Sequence, residues 1–194
     1  MPLTIFIFVL SACTNASAPR EDGFISIEPT SLFEGETKKL EPHLGIIGGA
    51  VRVDYSGTYK ALKASYEVWE RGKLIASADS LGVSIKEESV DEVTISLKPD
   101  PEDENSCLVT IAFLSEEGGY SSSSFTIPRF DPEFGSGPIP LQRPIQLKEG
   151  KEAAVWGYRA VKDGSISTSS SLEETAKESD QAFLLKLSTD RELD

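Results

Sequence analysis

Positions 61 to 70 read Ala-Leu-Lys-Ala-Ser-Tyr-Glu-Val-Trp-Glu, with Leu62, Ala64, Tyr66 and Val68 alternating with Lys63, Ser65 and Glu67. A period of two is the pattern of a strand with one face on a core and the other in water; a helix cannot satisfy it. Arg71-Gly72-Lys73 then turns the chain, glycine supplying a positive-φ position, and Leu74 to Ala78 returns as the second arm of a hairpin. Val93 to Leu97 alternates as cleanly, and Cys107 to Leu114 is apolar on both faces, as a central strand should be. Gly118-Gly119 separates that run from Tyr120 to Ile127.

The same criteria predict strands at Phe24 to Ile27, Thr37 to Leu40, Ala50 to Tyr55, Gly82 to Ile85, Ile145 to Leu147, Ala153 to Val161 and Phe183 to Ser188. Roughly ten short strands separated by turn signals imply an all-β fold, an antiparallel β-sandwich of immunoglobulin-like or related topology with at most one short helix. Parallel α/β folds are disfavoured, because no amphipathic helices alternate with the strands. The one helical signal is Ser170 to Ala176, where Ser170 and Glu173 have capping-box spacing. A short helix and a solvated loop fit it equally.

Pro128 to Pro144, with Pro132, Pro138 and Pro140 between, is the one compositional break and reads as a proline-rich crossover loop. Only two strong strands follow it, too few to stand alone, so residues 24–194 read as a single β-sandwich domain. With 39% hydrophobic residues in 194, the chain can bury a core. Its 32 acidic and 19 basic residues leave a net charge of −13, all of it from Arg20 onward. That charge excludes nucleic acid as a partner and repels anionic lipid headgroups, so any membrane attachment must be hydrophobic.

The opening segment can supply that attachment. Leu3 to Leu10 is apolar but far shorter than the roughly 20 residues of a spanning helix, and suits the hydrophobic region of a secretory signal peptide. Leu10-Ser11-Ala12-Cys13 resembles the lipobox of bacterial lipoproteins, although Met1 to Thr4 lacks the usual Lys or Arg. The resemblance implies a signal peptide over residues 1–12, cleavage before Cys13, a diacylglyceryl group on its thiol, and acylation of the new amino terminus. Two or more acyl chains hold where one binds only marginally. Residues 13–23 are small, polar and unpatterned, as a lipidated tether should be. The mature part is similar in character to uncharacterised lipoproteins of Gram-positive bacteria. Attachment to the extracytoplasmic side of the cell membrane is thus the expected location. The competing reading makes Ile5 to Leu10 a buried first strand.

If Cys13 carries lipid, Cys107 has no disulfide partner. It shares a strand face with Val109, Ile111 and Phe113 and reads as a small buried apolar residue. Chemistry-bearing motifs are few. His43 is the only histidine, so His-based zinc sites are excluded, and no G-x-S-x-G elbow supports a Ser-His-Asp triad. Gly45-Ile-Ile-Gly48-Gly49 lacks phosphate-loop spacing and reads as flexible backbone leading into a strand. The cluster of Asp100, Glu102, Asp103 and Glu104 offers oxygen ligands for calcium, or is a solvated loop. Trp69, on the polar face of its strand, and the Trp156/Tyr158 pair offer stacking surface for a sugar or peptide, or pack inside.

Two functions remain. The favoured one is a membrane-anchored, non-catalytic binding or interaction module with an envelope protein or glycan partner, requiring no cofactor beyond the covalent lipid on Cys13. The alternative is a cell-envelope hydrolase using a carboxylate pair, which demands a cleft holding an Asp or Glu of displaced pKa.

Overall fold

A computed structural model describes residues 23–86, 88–115, 118–164 and 171–193. The tether up to residue 22, Cys13 within it, and Ser170 lie outside the described residues. Among the described residues eleven strands, all antiparallel where they pair, form two sheets packed face to face. One sheet runs β7(Tyr120–Pro128), β6(Ser106–Ser115), β5(Glu88–Pro99), β2(Ile47–Ser56), β1(Phe24–Thr30), β9(Ile145–Lys148). The other runs β4(Lys73–Ser84), β3(Ala61–Glu70), β11(Gln181–Asp190), β10(Glu152–Val161), β8(Gly135–Pro140).

The alternation read from sequence sets which face is buried. Leu62, Ala64 and Val68 of β3 point into the core together with Cys107, Val109, Ile111 and Phe113 of β6. Each fully buried side chain of this size contributes about 1.5–3 kcal/mol relative to exposure. Tyr66 joins the two layers, stacking on Phe125 of β7 with ring centroids 4.3 Å apart. The turn between β3 and β4 holds Arg71 at φ 49° and Gly72 at φ 74°, the two positive values of a type I′ hairpin.

Four expectations need correction. Residues 37–40 do not form a strand: Gly35–Lys39 is a 3-10 turn followed by α1(Glu41–Leu44). Thr37 and Glu34 cap each other, Pro42 lies in the first turn of α1, and Gly45 ends it at φ 60°. Leu40 and Leu44 are exposed, so this segment has no apolar face to give a sheet. Gly82 to Ile85 is not a separate strand, because Gly82 to Ser84 completes β4. The proline-rich segment is more than a loop: it contains β8, which pairs only with β10 among the described strands. Pro138 and Pro140 are two apart, so both missing donors fall on the same side of an edge strand, where none is required.

The helical signal resolves as α2(Leu172–Glu178), with Ser171 rather than Ser170 as the cap, its hydroxyl accepting from Glu174 N at 3.1 Å. Leu172 and Ala176 bury against Ala154, Ala182, Leu184 and Ile139, forming a second small core on the outer face of the second sheet. Few as they are, these residues have an apolar partner surface ready on β10 and β11. That packing holds so short a helix.

Candidate functional site

The connection β7–β8–β9–β10 crosses between the sheets three times, and its middle forms a wall between two hollows. The smaller, about 150 Å³, lies at one end of the sandwich. Pro29, Leu32 and Phe33 stand on one side, Pro138 and Pro140 on the other, with Trp156 within and Glu41 also on the lining. The larger, about 380 Å³, lies between Leu141, Ile145, Leu147 and the start of α2, with Arg143 and Glu173 as its charged members.

Trp156 reaches the smaller hollow by close backbone approach. A bulge between Ala154 and Trp156 shifts the β10 register against β11, and the indole lies over Gly49 of β2. A Cβ at Gly49 would overlap the indole Nε1 and Cδ1, and one at Gly48 would lie 2.5 Å from Leu32 Cδ2. The two glycines read from sequence as flexible backbone are therefore strand residues, Gly49 making room for the indole and Gly48 for the Leu32 side chain. Trp156 is only 2% exposed, and no described residue hydrogen-bonds its indole N–H. A buried Trp N–H ordinarily finds an acceptor. Trp156 and Gly49, over which its Nε1 lies, both line the hollow, whose other described walls are mainly apolar.

Of the two placements open to the aromatics, exposed stacking surface or packing inside, Trp156 and Tyr158 take the second. Tyr158, 7% exposed, donates to Ser136 Oγ at 2.8 Å and meets Phe130 edge-on. Neither it nor Trp156 offers a ring face to solvent, because both pack into the core between the two sheets. Trp69 is half-buried beside α2, its Nε1 donating to Glu67 at 2.9 Å and Lys177 Nζ lying 5.8 Å from the ring centroid. Sequence reasoning left the burial of Trp156 open; Gly49, whose missing side chain leaves room for the indole, was the signal that could have settled it.

The acidic loop uses its carboxylates on itself. Asp100 accepts from Glu102 N, and Asp103 from Asn105 N and from the Ser106 hydroxyl at 2.6 Å. The Ser106 bond foremost, then the Asn105 N–H, holds Asp103 below the usual carboxylate range. Glu102, Asp103 and Glu104 are exposed, and among the described residues no three His, Cys, Asp or Glu side chains are grouped to hold a metal ion. His43 lies exposed on α1, and Cys107 is buried.

Three further carboxylates, Glu149, Glu152 and Asp190, are held in the ionised form by their partners. Burial alone pushes Glu149 up, but the Tyr55 hydroxyl and the N–H groups of Tyr59 and Thr58 outweigh it and hold the carboxyl below its ordinary value. Glu152 behaves alike: burial raises it, and Lys186 with Ser65 brings it lower. Lys186 sits between Glu152, at 2.5 Å, and Glu67, at 2.9 Å. Asp190 is held down by Lys63. These displaced carboxylates lie outside both hollows, and their direction favours the ionised form, the reverse of what a general acid requires. No family model, curated protein or solved structure matches the chain.

Proposed function

We propose that the chain is a lipid-anchored lipoprotein of a bacterial cell membrane whose β-sandwich, facing the extracytoplasmic side, is a non-catalytic binding module. The anchor reading is carried by Leu10-Ser11-Ala12-Cys13, placed after a short apolar run and ahead of a polar tether. No helix among the described residues is long and apolar enough to cross a membrane. The binding reading is supported by the smaller hollow, where rigid strands present one buried donor amid apolar walls, the composition of a small-molecule recognition site. The displaced carboxylates, all held in the ionised direction and away from the hollows, favour binding over acid catalysis.

The test is the intact mass of the protein recovered from membranes of its host, set beside a Cys13→Ser variant. Loss of residues 1–12 with added acyl mass, and release of the variant into the soluble fraction, is the expected result. An unmodified chain retaining Met1 overturns the anchor.

A further inference from the structure

The Trp156 N–H sets a chemical requirement on whatever fills the smaller hollow. A hydrocarbon would leave the donor unsatisfied, and a bare cation, though Glu41 would attract it, offers the N–H no acceptor. An anion would meet the Glu41 carboxylate on a chain of net charge −13. What remains is a neutral group carrying a hydrogen-bond acceptor and an apolar portion. About 150 Å³ is the volume at which an apolar cavity takes up a six-carbon ring, so such a group enters with part of the ring that bears it.

An acetamido group meets each element of this lining: a carbonyl oxygen for the indole N–H, a methyl for the prolines and Leu32, and an N–H for a carboxylate acceptor. We infer that the hollow beside Trp156 is a subsite for the acetamido group of an N-acetylated amino sugar, with Trp156 donating to its carbonyl and Glu41 accepting from its N–H. The inference rests on the reading of the sandwich as an extracytoplasmic binding module. That location favours glycan over acetylated lysine as the source of the group. The scaffold is preorganised, since the indole is fixed by the bulge of β10 and by its seat on Gly49.

The chain contains two tryptophans, so ¹⁵N-tryptophan labelling of the full chain in detergent micelles gives two indole signals, assigned with a Trp69→Phe variant. Titration with N-acetylglucosamine is expected to move the Trp156 signal, while glucose and glucosamine leave it in place. Glu41→Ala, at an exposed position that the fold does not need, is expected to weaken the response about tenfold. The subsite is overturned if N-acetylglucosamine leaves the Trp156 signal unmoved, as with water as the sole occupant, or if glucose moves it equally. A shift with Nε-acetyl-lysine but not with the sugar overturns it in favour of a peptide. Sedimentation with isolated cell-wall sacculi separates the two readings. Binding of sacculi with an unmoved Trp156 signal removes the subsite and leaves the binding module standing. A moved signal without membrane attachment of the wild type does the opposite.

Discussion

The hydroxyl of Tyr55 donates to the carboxylate of Glu149, 94 positions away, and both close over the loop between β2 and β3. Glu149 Oε1 also accepts from Thr58 N at 2.6 Å and Tyr59 N at 2.9 Å, and Oε2 from the Thr58 hydroxyl at 3.4 Å, so one carboxylate ties the end of β2 to the loop that follows it. Tyr55→Phe removes one of these donors and is expected to cost about 1–3 kcal/mol, measured by urea denaturation at neutral pH. Its acid dependence should also change. Because Glu149 is held below its ordinary 4.5 in the folded state, the unfolded chain takes up the proton first. Wild-type stability therefore falls as pH drops below that value. The variant should lose less over the same interval.

Lys186 lies between Glu67 and Glu152, and its own ionisation is raised: burial opposes the charge, but the bonds to the two carboxylates outweigh it. Lys186→Met should destabilise the protein by about 2 kcal/mol at pH 7, less than for a fully buried triad because Glu152 is partly exposed. The defect is expected to shrink as pH is lowered past the ordinary 4.5 of Glu152, where that stranded carboxylate takes up a proton. Denaturation midpoints at pH 7 and pH 4, about three units apart, test this.

Gly49→Ala places a methyl on the Trp156 indole. Overpacking of a filled interior is expected to lower stability by about 1–3 kcal/mol and to shift the tryptophan emission. Gly118→Ala, where no atom lies within 4 Å of the added methyl, is the contrasting case. Its backbone at φ 94° penalises any side chain, so it should lower stability without touching the emission.

Cys107 is buried, and burial foremost raises its thiol pKa. In a Cys13→Ser background, the native protein should react with a thiol reagent at least about a hundredfold more slowly than the urea-unfolded chain. Equal rates would show a thiol open to solvent.

Period-two alternation made most of the strands legible, Ala61 to Glu70 to the residue, because that strand has one face on the core; β4 and β5 run well beyond the spans that alternation marked. Two kinds of feature escaped. Thr37 to Leu40 looks extended by composition, yet the mutual capping of Glu34 and Thr37 turns it, and a local hydrogen bond outweighs weak strand propensity. Strand β8 was hidden by prolines that deny ladder donors, a veto that lapses at a sheet edge. The hollow beside Trp156 was illegible for another reason. Its parts come from β1, the turn after it, β2, β8 and β10, and only the register of the two sheets brings Gly49 beneath the indole. The aromatic was identified, but the atom that matters was not, since a side chain's burial is decided by the opposite layer.

β1, the first strand of the sandwich, is flanked on both sides, by β2 along its whole length and by β9 over Phe24 to Ile27. A mechanical load applied at residue 23 therefore falls on two hydrogen-bond ladders at once, one of them running back through β2 and β5 into the middle of the sheet. An edge strand in that place would peel away one bond at a time. The chain meets tension from its amino-terminal side with a strand that has to be drawn out from between its neighbours.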